Sequence, residues 1–177
     1  MKAETNLQSF YRSKNPFLRW YEWRRLKKAA KLANLEGNET VMDFGCNIRA
    51  LQKVLPKGCK YIGFDVVSEH SDIDDYTRLK DVDVAFALAV FEHLSPKELR
   101  QVLRNFKKMG VKKIVVELPR EEGRVSRLAN GLLGLEFEHV LNHKTDWKTA
   151  VKIVDEFYSC TNVFNNLFIS WISVWEK

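Results

Sequence analysis

Two carboxylates that follow short apolar segments are the residues of this chain best suited to ligand chemistry. The segment that begins at Val41 runs into the turn Asp43-Phe44-Gly45-Cys46, and the segment that begins at Tyr61 ends in Asp65. In a parallel α/β sheet, ligands bind where neighbouring strands end. Asp65 lies 22 positions after Asp43, close to the roughly 20-residue spacing expected for an acid that binds a ribose. The pattern predicts a site for a nucleoside-bearing cofactor.

Length and composition indicate one domain. The 177 residues suffice for a domain of ordinary size, and 45% hydrophobic with 29% charged residues is typical of a globular protein. No apolar segment is long enough to cross a membrane and the N-terminus has no apolar signal region, so we expect a cytoplasmic protein. Cys46, Cys59 and Cys160 are widely spaced, which predicts reduced thiols. The four His and three Cys show no metal-ligand spacing, so we predict no metal site.

Apolar periodicity and capping residues predict alternating strands and helices. Ser95-Pro96-Lys97-Glu98 is a strong helix start, because Ser is a preferred N-cap and Glu three residues later completes a capping box. The predicted helices cover about 16–34, 48–55, 96–109, 125–133 and 146–157. The predicted strands are Thr40–Phe44, Lys60–Asp65, a brief Ser71–Ile73, Asp83–Ala89, Lys113–Leu118, Tyr158–Phe164 and Leu167–Trp175, the last two joined by a type I′ turn at Asn165-Asn166.

This order of elements predicts an α/β fold. We expect a Rossmann-like, mostly parallel sheet flanked by helices and closing with an antiparallel β-hairpin. Nicotinamide-binding Rossmann domains usually continue with parallel strands, so the closing hairpin argues against an oxidoreductase of that kind. The chain divides into a basic, aromatic N-terminal helical segment at 1–39 and the Rossmann-like domain at 40–177.

One segment carries a family resemblance. The residues Asp83-Val84-Ala85-Phe86-Ala87-Leu88-Ala89-Val90-Phe91-Glu92-His93-Leu94 resemble the fourth strand of small class I S-adenosylmethionine-dependent methyltransferases, which reads like D-V-V-x-A-x-x-V-L-E-H-L. The resemblance extends from about Val41 to Pro119 and includes the Asp-x-Gly-Cys turn. It implies S-adenosyl-L-methionine as the cofactor and methyl transfer to a small or lipid-linked acceptor.

The resemblance also implies which residues bind the cofactor. Asp65 matches the acid that accepts both ribose hydroxyls, and Asp75 or its neighbour Asp74 matches the acid that accepts from the adenine amino group. The turn after the first strand matches the wall beside the methionine part, and the end of the fourth strand matches the sulfonium side. The implied cofactor-binding residues are Asp43, Gly45, Cys46, Asn47, Asp65, Val66, Asp75, Ala87 and Leu88.

Two features depart from the family pattern. Asn47 and Arg49 stand where the turn D-x-G-x-G-x-G has its second and third glycines. Asn tolerates positive φ, whereas Arg49 could fold away from the pocket, pair with the cofactor's carboxylate or block the pocket. Only 17 residues separate Asp65 from Asp83, so the helix after the second strand is reduced or absent. An alternative function therefore stays open: a non-catalytic binding or scaffold module with a degenerate cofactor pocket.

Methyl transfer asks little of side chains. The sulfonium already activates the methyl group, so the protein mainly aligns the reactants and excludes water. Similar enzymes often carry an acid-His pair before the helix that precedes the last hairpin, and Glu138-His139 occupies that place here. We predict His139 as a general base for a substrate hydroxyl or amine, the alternative being a surface histidine in a loop.

The basic excess of the chain is confined to its beginning. Residues 1–33 contain nine Lys or Arg against two Glu, whereas the rest carries 20 Lys or Arg against 21 Asp or Glu. Three interpretations remain open: the aromatic residues pack on the domain, the helix covers the substrate cleft as in similar methyltransferases, or Trp20 and Trp23 contact an anionic membrane surface. We do not expect a nucleic-acid partner, because the remaining chain is near neutral and has no recognised nucleic-acid motif.

Overall fold

The computed structural model describes residues 14–120, 143–167 and 169–177, which form one mixed sheet with helices packed on it. The strands of this part of the chain are β1 (Thr40–Phe44), β2 (Lys60–Phe64), β3 (Val84–Leu88), β4 (Lys113–Pro119), β5 (Ser159–Asn166) and β6 (Ser170–Glu176). The α-helices are α1 (Pro16–Ala33), α2 (Pro96–Lys108) and α3 (Trp147–Asp155), and short 3₁₀ helices lie at Leu51–Val54, Ser68–His70, Tyr76–Arg78 and Phe91–His93.

The sheet confirms the predicted fold class. Its strand order is β2-β1-β3-β4-β6-β5, with β1 to β4 parallel, β6 antiparallel to β4, and β5 antiparallel to β6. Because β1 pairs with β2 on one side and β3 on the other, the direction in which the sheet grows reverses at β1. In open α/β sheets, ligands bind beyond the carboxyl ends of the strands at such a point. The fold therefore brings the ends of β1, β2 and β3 to one place.

Helices on both faces explain why the central strands are apolar. On one face, Met42 of β1 shares an apolar cluster with Phe106 of α2 and Ile153 of α3. On the other face, Ala29 of α1 shares a cluster with Phe86 of β3. Residues 14–33 of the predicted N-terminal segment are thus part of the same core as the rest of the domain.

The start of α2 follows its sequence signal. Ser95 Oγ accepts a hydrogen bond from the Glu98 amide, and Glu98 Oε2 accepts one from the Ser95 amide at 2.7 Å. Both halves of the predicted capping box are therefore formed, which satisfies two donors that a helix start leaves open.

The predicted third strand at Ser71–Ile73 is wrong. The connection between β2 and β3 contains only the 3₁₀ helices Ser68–His70 and Tyr76–Arg78. One backbone hydrogen bond joins this segment to β2, from the Asp72 amide to Gly63 O at 2.8 Å. Side chains add to it: Ser71 Oγ accepts from the Asp65 amide at 3.1 Å, and Asp72 Oδ2 accepts from the Gly63 amide at 2.8 Å. The segment therefore crosses the end of β2, and the segment that resembles a fourth strand is β3. The predicted helix at 48–55 is also reduced, to the 3₁₀ helix Leu51–Val54.

The hairpin is present, but its turn is not at Asn165-Asn166. Both residues belong to β5, and Leu167, which follows them, is in a turn with a φ of 55°. Asn166 is fully buried, and its side chain accepts from Arg24 and donates to Ser170 Oγ. This buried pairing holds Asn166 in the strand. The helix predicted at 125–133 lies outside the described residues.

A buried ion pair attaches α1 to the end of β4. The Arg25 guanidinium contacts Glu22 at 2.6 Å and also pairs with Glu117, whose other oxygen accepts a hydrogen bond from Ser170 Oγ at 2.7 Å. Arg25, Glu22 and Glu117 are all at least nine-tenths buried. Removing one partner of a buried ion pair lowers the free energy of unfolding strongly, because the other charge stays buried without compensation.

We predict that Glu117→Gln lowers the free energy of unfolding by about 3 kcal/mol, because the Arg25 charge then stays buried with one counter-charge fewer. Urea denaturation measures the loss. The matched control is Glu176→Gln, whose partner Lys113 lies 3.2 Å away in a more exposed pair and whose loss should cost less than about 1 kcal/mol. Equal effects of the two substitutions would contradict the structural role of the buried pair.

Candidate functional site

A cleft of about 690 Å³ opens where β1, β2 and β3 end. Arg25 and Leu26 of α1 form part of its wall, and His93 and Lys144 lie on its border. Seven of the nine residues predicted to bind a cofactor line it: Asp43, Gly45, Cys46, Asn47, Asp65, Val66 and Leu88. The fold therefore brings most of the predicted site to one cavity.

The turn after β1 has left-handed backbone at all three positions of the glycine pattern, although only one of the three residues is a glycine. Gly45, Asn47 and Arg49 have φ values of 83°, 43° and 58°, so all three positions of the glycine pattern are left-handed. Asn adopts this conformation more readily than most residues, whereas it is uncommon for a residue such as Arg. The turn therefore has left-handed backbone at Asn47 and Arg49 without a glycine at either position.

Hydrogen bonds from β2 hold this turn. Phe64 O accepts from the amides of Gly45 and Cys46 at 2.8 and 3.1 Å, and Asp65 Oδ2 accepts from the Asn47 amide at 2.9 Å. The left-handed residues are therefore fixed by the strand next to them, at the point where the cleft begins.

The Arg49 side chain points away from the cleft. Its Nε donates to the His70 carbonyl at 3.0 Å, and Nη1 lies 2.7 Å from Asp72 Oδ1. Of the three arrangements left open by the sequence, the structure shows the first: Arg49 neither lines the cleft nor closes it.

Gly45 is required for space as well as for its φ. A Cβ atom built on Gly45 would lie 2.4 Å from Cγ2 of Val90, a distance that real Cβ atoms do not show. Val90 follows β3, so this close approach brings the ends of β1 and β3 together.

The two predicted carboxylates have different surroundings. Asp65 is half-buried, and its two oxygens accept from the amides of Asn47 and Val67 at 2.9 and 3.0 Å. Each carboxylate oxygen can accept a further hydrogen bond, so Asp65 can still receive two hydroxyl donors. Asp43 is buried, which raises its pKa to about 7 despite a hydrogen bond from the Tyr61 hydroxyl at 2.8 Å. Burial also raises the pKa of the Cys46 thiol to about 12, so this residue stays protonated.

Two predicted site residues, Asp75 and Ala87, do not line the cleft, and a third lies outside the described residues. Asp75 caps the 3₁₀ helix Tyr76–Arg78, and its carboxylate accepts from the Thr77 amide at 2.9 Å. Because the predicted third strand does not form, Asp75 is not placed at the carboxyl edge of the sheet. Ala87 is buried in the core behind the cleft wall, and His139 lies outside the described residues.

A histidine cluster at the border of the cleft was missed by sequence reasoning. Potential ligand atoms of Glu92, His93 and His143 all lie within 4.8 Å of one another, and the two imidazole rings are 5.2 Å apart at 71°. The prediction of no metal site considered spacing along the chain, and 50 positions separate His93 from His143. The only local signal was the Glu-His pair after β3.

Solved structures share this fold. The small RNA methyltransferase HEN1 matches with a TM-score of 0.65 at 20% identity, covering 88% of this chain and 25% of that chain. The magnesium protoporphyrin IX methyltransferase ChlM from Synechocystis PCC 6803, with SAH bound, matches with a TM-score of 0.61 at 13% identity, covering 97% and 92%. A SAM-dependent methyltransferase from Archaeoglobus fulgidus matches with a TM-score of 0.65 at 16% identity, covering 97% and 98%.

These matches confirm the fold that the family resemblance implied. The chain spans only a quarter of the HEN1 chain, so it corresponds to one part of that larger protein. No protein-family model and no curated protein sequence matches the chain.

We predict that Gly45→Ala lowers the free energy of unfolding by about 2–4 kcal/mol, because it adds a clash with Val90 to the cost of a left-handed alanine. Gly110→Ala is the matched control: Gly110 has a φ of 88°, but nothing lies within 4 Å of the added Cβ, so only about 1 kcal/mol should be lost. Chemical denaturation of both variants measures the difference. If the two substitutions cost the same, the contact between the turn and Val90 is not as tight as described.

Proposed function

We propose that the protein binds S-adenosylmethionine in this cleft and transfers its methyl group to a small or lipid-linked acceptor. The observation that carries the proposal is the left-handed turn at Gly45, Asn47 and Arg49, bonded to the Asp65 carboxylate within the cleft. This arrangement has the shape expected of a cofactor-binding turn, although two of its three glycines are replaced.

The residues around the cleft fit the parts of this cofactor. The free lone pairs of Asp65 suit the two ribose hydroxyls. Asn47 Oδ1 is buried and has no hydrogen-bond partner among the described residues, so it can accept from the ammonium group of the methionine part. Leu88 provides an apolar wall for the sulfonium side, and the volume of the cleft falls in the range of small-molecule sites.

The cofactor would supply an activated methyl group, and the chain would supply alignment. Apolar walls formed by residues such as Leu26 and Phe44 exclude water from the reacting centre. His139 stays a proposed general base for the acceptor. The structural relatives are methyltransferases named for acceptors as different as small RNA and magnesium protoporphyrin IX. A shared fold therefore does not identify the acceptor of this chain.

The alternative function is a non-catalytic binding or scaffold module with a degenerate pocket. Arg49 was one of two features in its favour, and the pairing of Arg49 with Asp72 removes the reason to expect a blocked cleft. The short connection after Asp65 remains. Affinity for the cofactor separates the two functions, because a degenerate pocket should not bind it.

We predict that S-adenosylmethionine and S-adenosylhomocysteine bind with micromolar dissociation constants in calorimetric titrations of the purified protein. Asp65→Asn should weaken binding at least about thirtyfold, because hydrogen bonds to a charged group contribute roughly 1.5–3 kcal/mol each. Asp75→Asn is the matched control and should change the affinity less than about twofold, since Asp75 does not line the cleft.

Circular dichroism verifies that each variant is folded. If the folded wild-type protein binds neither compound, the proposed cofactor site is refuted and the non-catalytic module is favoured. A normal affinity in Asp65→Asn would instead show that the cofactor lies elsewhere in the protein.

We also propose that α1 contacts an anionic membrane surface. Phe17 and Trp20 are 71% and 54% exposed, large values for such apolar side chains. Exposed Arg19, Lys27 and Lys31 accompany them on the same helix. Exposed aromatic rings beside basic side chains suit the boundary between lipid headgroups and acyl chains. Among the described residues, no helix is long and apolar enough to cross a membrane.

Sedimentation with lipid vesicles tests this contact. We predict binding to vesicles that contain phosphatidylserine, weaker binding to pure phosphatidylcholine, and a loss of several-fold in Trp20→Ala. Val163→Ala is the matched control, because Val163 is also 54% exposed but lies on β5. Equal binding to both kinds of vesicle, or an equal loss in the control, would refute the proposed role of α1.

A further inference from the structure

We propose that Glu92, His93 and His143 form a binding site for a divalent transition-metal ion at the border of the cleft. The potential ligand atoms of the three side chains lie within 4.8 Å of one another. Bonds from a metal ion to imidazole nitrogen or carboxylate oxygen are about 2.0–2.2 Å long. Closing the three ligands around one ion requires the side chains of His93, which is exposed, and of the half-buried His143 to rotate inward.

The backbone holds the two halves of this cluster together. Glu92 O accepts hydrogen bonds from the amides of Lys144 and Thr145 at 2.8 and 3.2 Å, and Thr145 Oγ1 donates to Leu94 O at 2.5 Å. The segment that carries His143 is therefore fixed to the 3₁₀ helix that carries Glu92 and His93. A site whose ligands are already positioned before the ion binds loses less conformational entropy on binding.

The burial of the three residues differs in a way that suits an ion. Glu92 is 3% exposed, and a carboxylate in such surroundings favours a nearby cation. His93 is exposed and His143 is half-buried, so the cluster is more accessible on the side of the imidazoles than on that of the carboxylate. His93 itself lines the cleft, whereas Glu92 supports it from the interior.

The ligand types predict which ions bind. Two imidazoles and one carboxylate are the ligands of catalytic zinc sites of the His₂Glu kind, which keep a further position open. Mg²⁺ and Ca²⁺ prefer oxygen ligands throughout. We therefore expect Zn²⁺ and Co²⁺ to bind far more tightly than Mg²⁺.

An ion at this position would meet the acceptor. An ion held by His93 would lie beside the cleft, because His93 lines that cavity. The ion would bind an oxygen atom of the acceptor and fix its position. This role rests on the proposed methyl transfer, whereas the binding of the metal ion is independent of it.

Titration of the chelator-treated full chain with Co²⁺ tests the site, because the visible absorption of Co²⁺ reports the ligands around it. We expect one Co²⁺ per chain, displaced by Zn²⁺ and not by equimolar Mg²⁺. His143→Ala and Glu92→Gln should each weaken binding at least about a hundredfold, since each removes one of three protein ligands. His70→Ala is the matched control and should leave the affinity within about twofold, because its imidazole is not part of the cluster.

Circular dichroism and titration with S-adenosylhomocysteine accompany each variant. The partly exposed His143 decides the outcome if the buried Glu92→Gln fails to fold. Equal Co²⁺ affinities of His143→Ala and the wild-type protein would overturn the proposal, as would an equal loss in His70→Ala. Normal binding of S-adenosylhomocysteine with no metal binding would overturn the metal site alone, so its failure is distinguishable from that of the proposed cofactor.

Discussion

Left-handed backbone at Asn47 and Arg49 is the constraint on which the rest of the cleft depends. Each such residue costs roughly 1–2 kcal/mol relative to ordinary helical or extended backbone, so the turn persists only where neighbouring groups hold it. Asp65 holds Asn47 through its amide, and the carbonyl of His70 with the carboxylate of Asp72 hold the Arg49 side chain. These contacts stabilise the turn after β1 from β2 and from the segment that follows it.

This dependence connects the two features in which the sequence departs from the methyltransferase pattern that it resembles. Asp72 pairs with Arg49 and also accepts a hydrogen bond from the Gly63 amide of β2. It can do both because the connection after β2 is short and crosses the strand end. The replacement of the third glycine and the shortened connection thus compensate each other. Taken separately, each suggested a damaged pocket, and together they leave the cleft open.

Much of the fold could be predicted from local patterns. The five residues of β1 and the start of α2 at Ser95 follow directly from apolar runs and capping chemistry. Ser71–Ile73 and Asn165-Asn166 were misassigned because their side chains form tertiary bonds, with β2 and with Arg24 and Ser170. The bond from Arg24 joins residues far apart in the sequence, and the shorter-range bonds form only where the chain folds back at the end of β2 and at the hairpin. Apolar periodicity and turn signals indicate neither kind. Arg49 presented the same difficulty, because the direction of its side chain depends on the ion pair with Asp72.

The candidate site shows a similar division. Asp65 and Leu88 could be assigned from strand ends and motif. The assignment of Asp75 depended on a third strand that does not form, and this residue instead caps a 3₁₀ helix. The cluster of Glu92, His93 and His143 required the fold itself, because two backbone hydrogen bonds bring its halves together.

The measurement that tests the central claim most directly is a crystal structure of the protein grown with S-adenosylhomocysteine. We predict electron density for the nucleoside in the cleft, with both ribose hydroxyls within about 3 Å of the Asp65 carboxylate and with Arg49 still paired to Asp72. A nucleoside bound outside the cleft, or a ribose that turns away from Asp65, would contradict the assignment of this turn as a cofactor site.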